Sequence, residues 1–129
     1  MKILDSDHWV ALLRGRLVLQ GRVPPDEELA ITVISVGELV HGTHKSSRTA
    51  ENLARLDVLL ATVTVLSYDE ASARRFGLMK ADLERAGAPL GDLDLQIACI
   101  ALQHGVPLVT HNRRHFERVS GLAIDDWLE

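Results

Sequence analysis

The sequence predicts an α/β sandwich, in which a mostly parallel central sheet of four to five strands is flanked by helices. Three observations carry that expectation. Short β-branched runs alternate with helical patterns along the chain, the order that lays crossover helices on the faces of a sheet. The connections between strand candidates are long and tight hairpin turns are absent, so neighbouring strands should run parallel. One helical stretch near residue 100 is apolar on almost every face, as a helix buried in such a sandwich must be.

Taken in order, Lys2-Ile3-Leu4 is a short strand that stops at Asp5. Trp9 to Leu13 reads as a brief helix, with Asp7 as its cap. Pro24-Pro25 followed by Asp26, Glu27 and Glu28 marks a loop, because two prolines oppose both helix and ladder pairing. Leu29 to Ile34 is a buried strand. Ser35 and Glu38 have capping-box spacing for a helix that ends near Gly42. A second helix over 48–60 sets Leu53, Leu56, Leu59 and Leu60 on one face. Val63 to Leu66 is the third strand. Ser67 and Glu70 repeat the capping-box spacing for a helix that reaches Ala86 and stops at Gly87. Leu93 to His104 is the buried helix, ended by Gly105. Pro107 to Val109 and Ala123-Ile124 complete the strands.

Length and composition narrow the function. A chain of 129 residues forms one domain, 1–129. Its 47% hydrophobic and 25% charged content excludes intrinsic disorder. The single Cys excludes a disulfide framework and a zinc site built on several thiolates, and Cys99 itself reads as a small core residue. No apolar run reaches the roughly 18 residues of a membrane span, and the first residues carry no signal-peptide pattern, so a cytoplasmic protein is expected. With 14 basic against 18 acidic residues, the formal charge of −4 excludes a general electrostatic binder of nucleic acid.

The placement of the acids is more informative than their number. Sites in open α/β sheets form beyond the carboxyl ends of the strands. Asp5 ends the first strand, Glu38 lies one helical turn beyond the second, and Asp94 opens the buried helix. His111, Asn112 and His115 follow the fourth strand. Carboxylates converging in one cleft repel each other unless a cation intervenes, and all-oxygen ligation suits Mg²⁺ or Mn²⁺ rather than zinc. Each acid also has a plain structural explanation: a turn for Asp5, a capping box for Glu38, the helix dipole for Asp94. Their conjunction outweighs those separate explanations. Arg113 and Arg114, with Arg118, fall directly after the fourth strand, where they can hold phosphates. Trp9 and Trp127 read as packing anchors, and the remaining His as surface or internally satisfied side chains.

Four ordered blocks then resemble one family. Ile3-Leu4-Asp5-Ser6-Asp7-His8 is similar to the L-D-T-D or L-D-T-N opening of PIN-domain ribonucleases of the VapC toxin type. Ile34 to Gly42 resembles their I-(S/T)-x-x-E-L-x-x-G helix, Pro89 to Ala98 their P-I-G-x-x-D-x-x-I-A block, and Leu108 to Val119 their L-V-T-R-N-x-R-(D/H)-F-x-x-V block. The tail, Gly121 to Trp127, is similar to the end of one subgroup. The resemblance implies a three-layer PIN-like sandwich and a Mg²⁺-dependent endoribonuclease, with Mn²⁺ as a substitute. It also implies an RNA substrate, a cognate VapB-type antitoxin and a homodimer that forms heterotetramers or larger assemblies with it. Asp5 and Asp94 are the implied metal ligands, and Glu38 binds metal or orients water. Asn112 departs from the pattern by standing where many relatives carry Asp, and His115 where some do; both are implied at the catalytic edge. The segment between Leu13 and Leu29 is shorter than in the relatives.

Two other readings compete. Asp5-Ser6-Asp7 fits the first half of the D-x-D motif of haloacid-dehalogenase-like phosphatases, with Asp5 as nucleophile, although Trp9 occupies their Thr/Val position. A catalytically silent RNA- or partner-binding module is the other, motivated by the missing fourth acid.

Overall fold

The structure is a computed structural model and describes residues 1–128; Glu129, the last residue of the expected domain, lies outside the described residues. Eleven elements follow one another: β1 (Lys2–Leu4), α1 (Ser6–Leu13), β2 (Leu29–Thr32), α2 (Val33–His44), α3 (Thr49–Leu60), β3 (Thr64–Leu66), α4 (Glu70–Arg85), α5 (Asp92–His104), β4 (Leu108–Val109), α6 (Arg113–Phe116) and β5 (Ile124–Asp125). The five strands form one sheet in the order β3-β2-β1-β4-β5, with every neighbouring pair parallel. The sheet is thus wholly parallel, and the expected fifth strand is present.

Strand alternation builds the layers. Ile3, Ala30 and Leu108 point to one face, where they meet Leu83 of α4, the apolar side chains of α5 and Phe116 of α6. Leu4, Ile31 and Val109 point to the other, against Trp9 of α1, Leu39 of α2, Leu56 of α3 and Trp127. Burial on both faces is why these strands read as continuous apolar runs. The two tryptophans pack in the core as expected, at 1% and 6% exposure. Among the described residues no helix is long and apolar enough to cross a membrane.

Every element but the short α6 follows the expectation from the sequence, and three helix starts differ. Asp5, not Asp7, caps α1: its Oδ1 accepts the Ser6 N–H at 2.8 Å, and the helix begins at Ser6 rather than Trp9. The cause is in the sheet, where Asp5 N–H still donates to Val109 O at 2.9 Å and so fixes the last extended residue. Thr32 rather than Ser35 caps α2, its hydroxyl accepting Ser35 N–H at 3.1 Å, so β2 ends two residues before Ile34. Asp69 rather than Ser67 caps α4, accepting Ser72 N–H at 2.8 Å.

The topology then creates a cleft. β1 is central, and the chain leaves it toward β2 on one side, while β4 occupies the other side after the long crossover through α4 and α5. The carboxyl ends of β1 and β4 therefore flank the switch point of the sheet. Gly105, at φ 64°, takes the left-handed conformation that ends α5 and turns the chain into β4. The 13 residues of α5 carry its other end, with Asp94, about 20 Å back to the carboxyl edge.

Candidate active site

Asp5 lies at the carboxyl end of the central strand and is 5% exposed. Both of its oxygens are occupied by protein donors: Oδ1 accepts Ser6 N–H, and Oδ2 accepts the Thr110 hydroxyl at 2.8 Å. Burial pushes its carboxyl up from 3.8 to about 6. The Thr110 and Ser6 bonds act in the opposite direction, and the negative charges of Asp7 and Glu38 add to the rise. Glu38, half-buried on α2, reaches the same point through Ser6, whose hydroxyl donates to its Oε1 at 2.9 Å. Ser6 thus bonds Asp5 through its backbone and Glu38 through its side chain.

Asp94 is half-buried in the first turn of α5 and pairs with His115 Nδ1 at 3.3 Å. That contact bridges α5 to α6, which follows β4. Asn112 precedes α6 without a side-chain capping bond and is exposed; its backbone N–H donates to Thr110 Oγ1 at 3.1 Å, which links it to Asp5 by a single side chain. Arg113 is half-buried and Arg114 exposed, both on α6. Arg118 is exposed, beyond the end of α6, and donates to Pro89 O ahead of α5.

The structure therefore brings the predicted residues together as two groups: Asp5 with Glu38 and Asn112, and Asp94 with His115. Among the described residues no three His, Cys, Asp or Glu side chains stand in a metal-holding array. Each carboxylate is instead engaged by its own donor. The donor chemistry fits a hard divalent cation all the same. Asp5, Glu38 and Asp94 offer only oxygen, and a carboxylate held up at about 6 by burial and like charge is one whose ionised form a cation would stabilise. Beside this point, a cleft of about 310 Å³ runs from Ser6 and Glu38 past Leu39 and Leu56 to Arg14 and Arg55.

Sequence reasoning missed Ser6 and Thr110. Both sit inside the motif blocks, but their roles depend on contacts across 32 and 105 residues of chain. A small hydroxyl directly after a strand-end acid was the available signal. Cys99 is the core residue expected: fully buried, with burial pushing its thiol up to about 11.

The chain matches the PIN domain family over residues 2–122. It is 39% identical over 100 residues to the tRNA(fMet)-specific endonuclease VapC of Shigella flexneri, covering 78% of this chain and 76% of the relative. It is 30% identical over 129 residues to ribonuclease VapC1 of Haemophilus influenzae (strain R2866), covering 97% and 96%. The fold superposes on the crystal structure of DNA-bound VapBC from Salmonella typhimurium with a TM-score of 0.89 and 32% identity, over 98% of this chain and 97% of that one. VapBC-1 from nontypeable Haemophilus influenzae gives 0.88 and 28%, over 99% and 98%. These matches set aside the phosphatase alternative. The chain belongs to the PIN-domain family and, within it, to the VapC ribonucleases.

Proposed function

We propose that this protein is the toxin of a type II toxin–antitoxin pair and hydrolyses RNA phosphodiesters, with Asp5, Glu38 and Asp94 as the residues that hold Mg²⁺ or Mn²⁺. The observation that carries the proposal is Asp5 itself: buried at the switch point of the sheet, tied to Glu38 through Ser6, and held well above the ordinary carboxylate range. Nature rarely buries an acid beside two others without a use for the charge. When bound there, the metal supplies a water activated for attack and neutralises charge on the phosphate.

The protein's own residues do the rest. Thr110 keeps the Asp5 carboxylate from turning. Ser6 holds one oxygen of Glu38 and leaves Oε2 outside that bond, where it can accept a proton from water. Asn112 and His115 stand at the exposed rim, able to offer an amide and an imidazole to the substrate. Arg113 and Arg114 supply cations for the RNA backbone beside this edge. The named activities of the VapC relatives support an RNA substrate, and the VapBC complexes support a VapB-type antitoxin as partner. A homodimer at the centre of the assembly and a cytoplasmic location complete the proposal.

The test is a cleavage assay on structured and single-stranded RNAs, with Mg²⁺ against chelator. Asp5→Asn and Asp94→Asn are each expected to remove cleavage while leaving the fold intact. A folded, fully active Asp94→Asn variant would refute the assignment, and Mg²⁺-independent RNA binding without cleavage would favour the silent binding module.

A further inference from the structure

A second polar cluster lies beside Asp5, and the reaction as described does not use it. It closes a ring through the start of α1, the segment after β4 and the segment after β5. Asp7 Oδ2 accepts the backbone N–H of His111 at 3.0 Å, and Asp7 Oδ1 lies 2.6 Å from His8 Nδ1. His8 Nε2 accepts the backbone N–H of Trp127 at 3.0 Å. Asp126 Oδ1 accepts Leu128 N–H at 2.9 Å, and Asp126 Oδ2 meets His111 Nδ1 at 2.8 Å. His8 is fully buried, and the Asp126 side chain is 1% exposed.

The tautomers follow from the donors. A backbone N–H can only donate, so His8 Nε2 carries no proton, and the ring proton sits on Nδ1, donated to Asp7. A carboxylate can only accept, so His111 Nδ1 donates to Asp126. Every hydrogen bond in the ring then has one donor and one acceptor, and the bare His8 Nε2 stands 3.6 Å from Asp126 Oδ1.

The ring grips one stretch of backbone. Residues 110–112 are held by Asp7 at the His111 N–H, by Asp126 at the His111 side chain, and by Asp125 O at the Thr110 N–H, 2.8 Å away. Thr110 is the side chain that donates to Asp5, and it receives the N–H of Asn112. Adhesion of the tail alone does not account for this arrangement. Trp127 already packs with the core, and burying His8 and Asp126 is a desolvation penalty that an apolar plug would avoid. What polar bonds add over apolar packing is direction.

We infer that His8, His111 and Asp126 are positioning residues for the reacting edge, aiming the Thr110 hydroxyl at Asp5 and setting Asn112 at the rim. The inference rests on the reading of Asp5 as a reacting group. It assigns the segment after β5 to the active site although none of its side chains touches Asp5.

His111 is the test position, because its side chain is 59% exposed and its replacement leaves the core alone. His111→Leu removes the donor to Asp126; His111→Asn puts an amide N–H close to where Nδ1 stood. The expected result is a kcat lowered about tenfold to a hundredfold in His111→Leu, with KM and melting temperature near those of the wild type. His111→Asn should recover most of the loss. Long-range ¹H–¹⁵N spectra of the wild type should show His8 protonated on Nδ1 and bare on Nε2. Amide signals of Thr110 and Asn112 should move in His111→Leu and return in His111→Asn. A raised KM at unchanged kcat would make His111 a substrate contact and overturn the inference. A lowered melting temperature at unchanged kcat would make the ring merely structural, and a His8 proton on Nε2 would refute the ring itself. If the wild type cuts no RNA, the nuclease reading fails on its own, and the tautomer and amide signals still decide whether the ring aims Thr110.

Discussion

Replacing Asp5 by Asn should make the protein more stable while making it inactive. Asp5 is raised from 3.8 to about 6, chiefly by burial, so the folded protein resists ionising it. A group raised on folding contributes stability that is fully present below its unfolded value and lost as pH rises through its folded value. For Asp5 that window is about pH 4 to 6, and above it the ionised carboxylate weighs against the native state. A shift of roughly two units at about 1.4 kcal/mol each gives about 3 kcal/mol. Asn keeps an oxygen for Ser6 N–H but offers its NH₂ to the Thr110 oxygen, whose hydroxyl then needs another acceptor. That rearrangement takes back about 1 kcal/mol, leaving a gain of about 2 kcal/mol. For a domain of this size the gain corresponds to a melting temperature higher by roughly 8 °C. Thermal and urea melts of both proteins in chelator, from pH 3.5 to 8, supply the assay. At the acid end the rearrangement alone should leave the wild type about 1 kcal/mol the more stable; the difference should change sign between pH 4 and 6 and level off above at about 2 kcal/mol in favour of Asp5→Asn. A wild type that is the more stable protein at pH 7.5, or a difference that does not change with pH, would refute the reasoning.

Three further outcomes follow from the same geometry. Thr110→Val keeps the shape but removes the hydroxyl donor to Asp5. It should raise the Asp5 carboxyl further above about 6, move the acid limb of the pH–rate profile upward, and lower stability by about 1–3 kcal/mol in denaturant melts. Phe116 is fully buried between the sheet and α5, so Phe116→Ala should destabilise by about 3–5 kcal/mol in the same melts. Cys99 is fully buried with its thiol at about 11, and mass spectrometry after iodoacetamide at pH 7.5 should find it unmodified in the native protein and modified in urea.

The parts of the fold visible in the sequence are those whose pattern is local. The wholly apolar helix over residues 93–104, the β-branched run from Leu29 and the stop at Gly105 each announce themselves within a few residues. Caps were harder to place, because Asp5 and Asp7, Thr32 and Ser35, or Ser67 and Asp69 have similar capping chemistry at adjacent positions. The choice between Asp5 and Asp7 is made by the sheet, through the bond from Asp5 N–H to Val109 O. The candidate site divides in the same way. Asp5 and Glu38 were legible because strand ends are where such sheets carry chemistry, and Asp94 because an acid is conspicuous at the mouth of an apolar helix. Thr110, Ser6 and the partners of His8 were not, since their bonds join residues 105, 32 and 119 positions apart and leave no periodic trace. The count of 18 acids against 14 bases gains a different meaning from this placement. With Asp5, Glu38 and Asp94 gathered at one edge, 18 − 3 leaves 15 acids against 14 bases over the rest of the protein.

The order of synthesis gives the sheet a clock. Asp5 is made well before Thr110, but the strand that carries it is flanked by β2 and β4, and its hydroxyl donor follows β4. β5 and the residues that grip His111 come later still. A nascent chain that has exposed only β1, β2 and β3 has the acids Asp5 and Glu38 but neither Thr110 nor Asn112 to complete the edge. A nuclease built on this connectivity cannot assemble its cutting edge beside the ribosome that is making it until nearly all of the sheet has emerged.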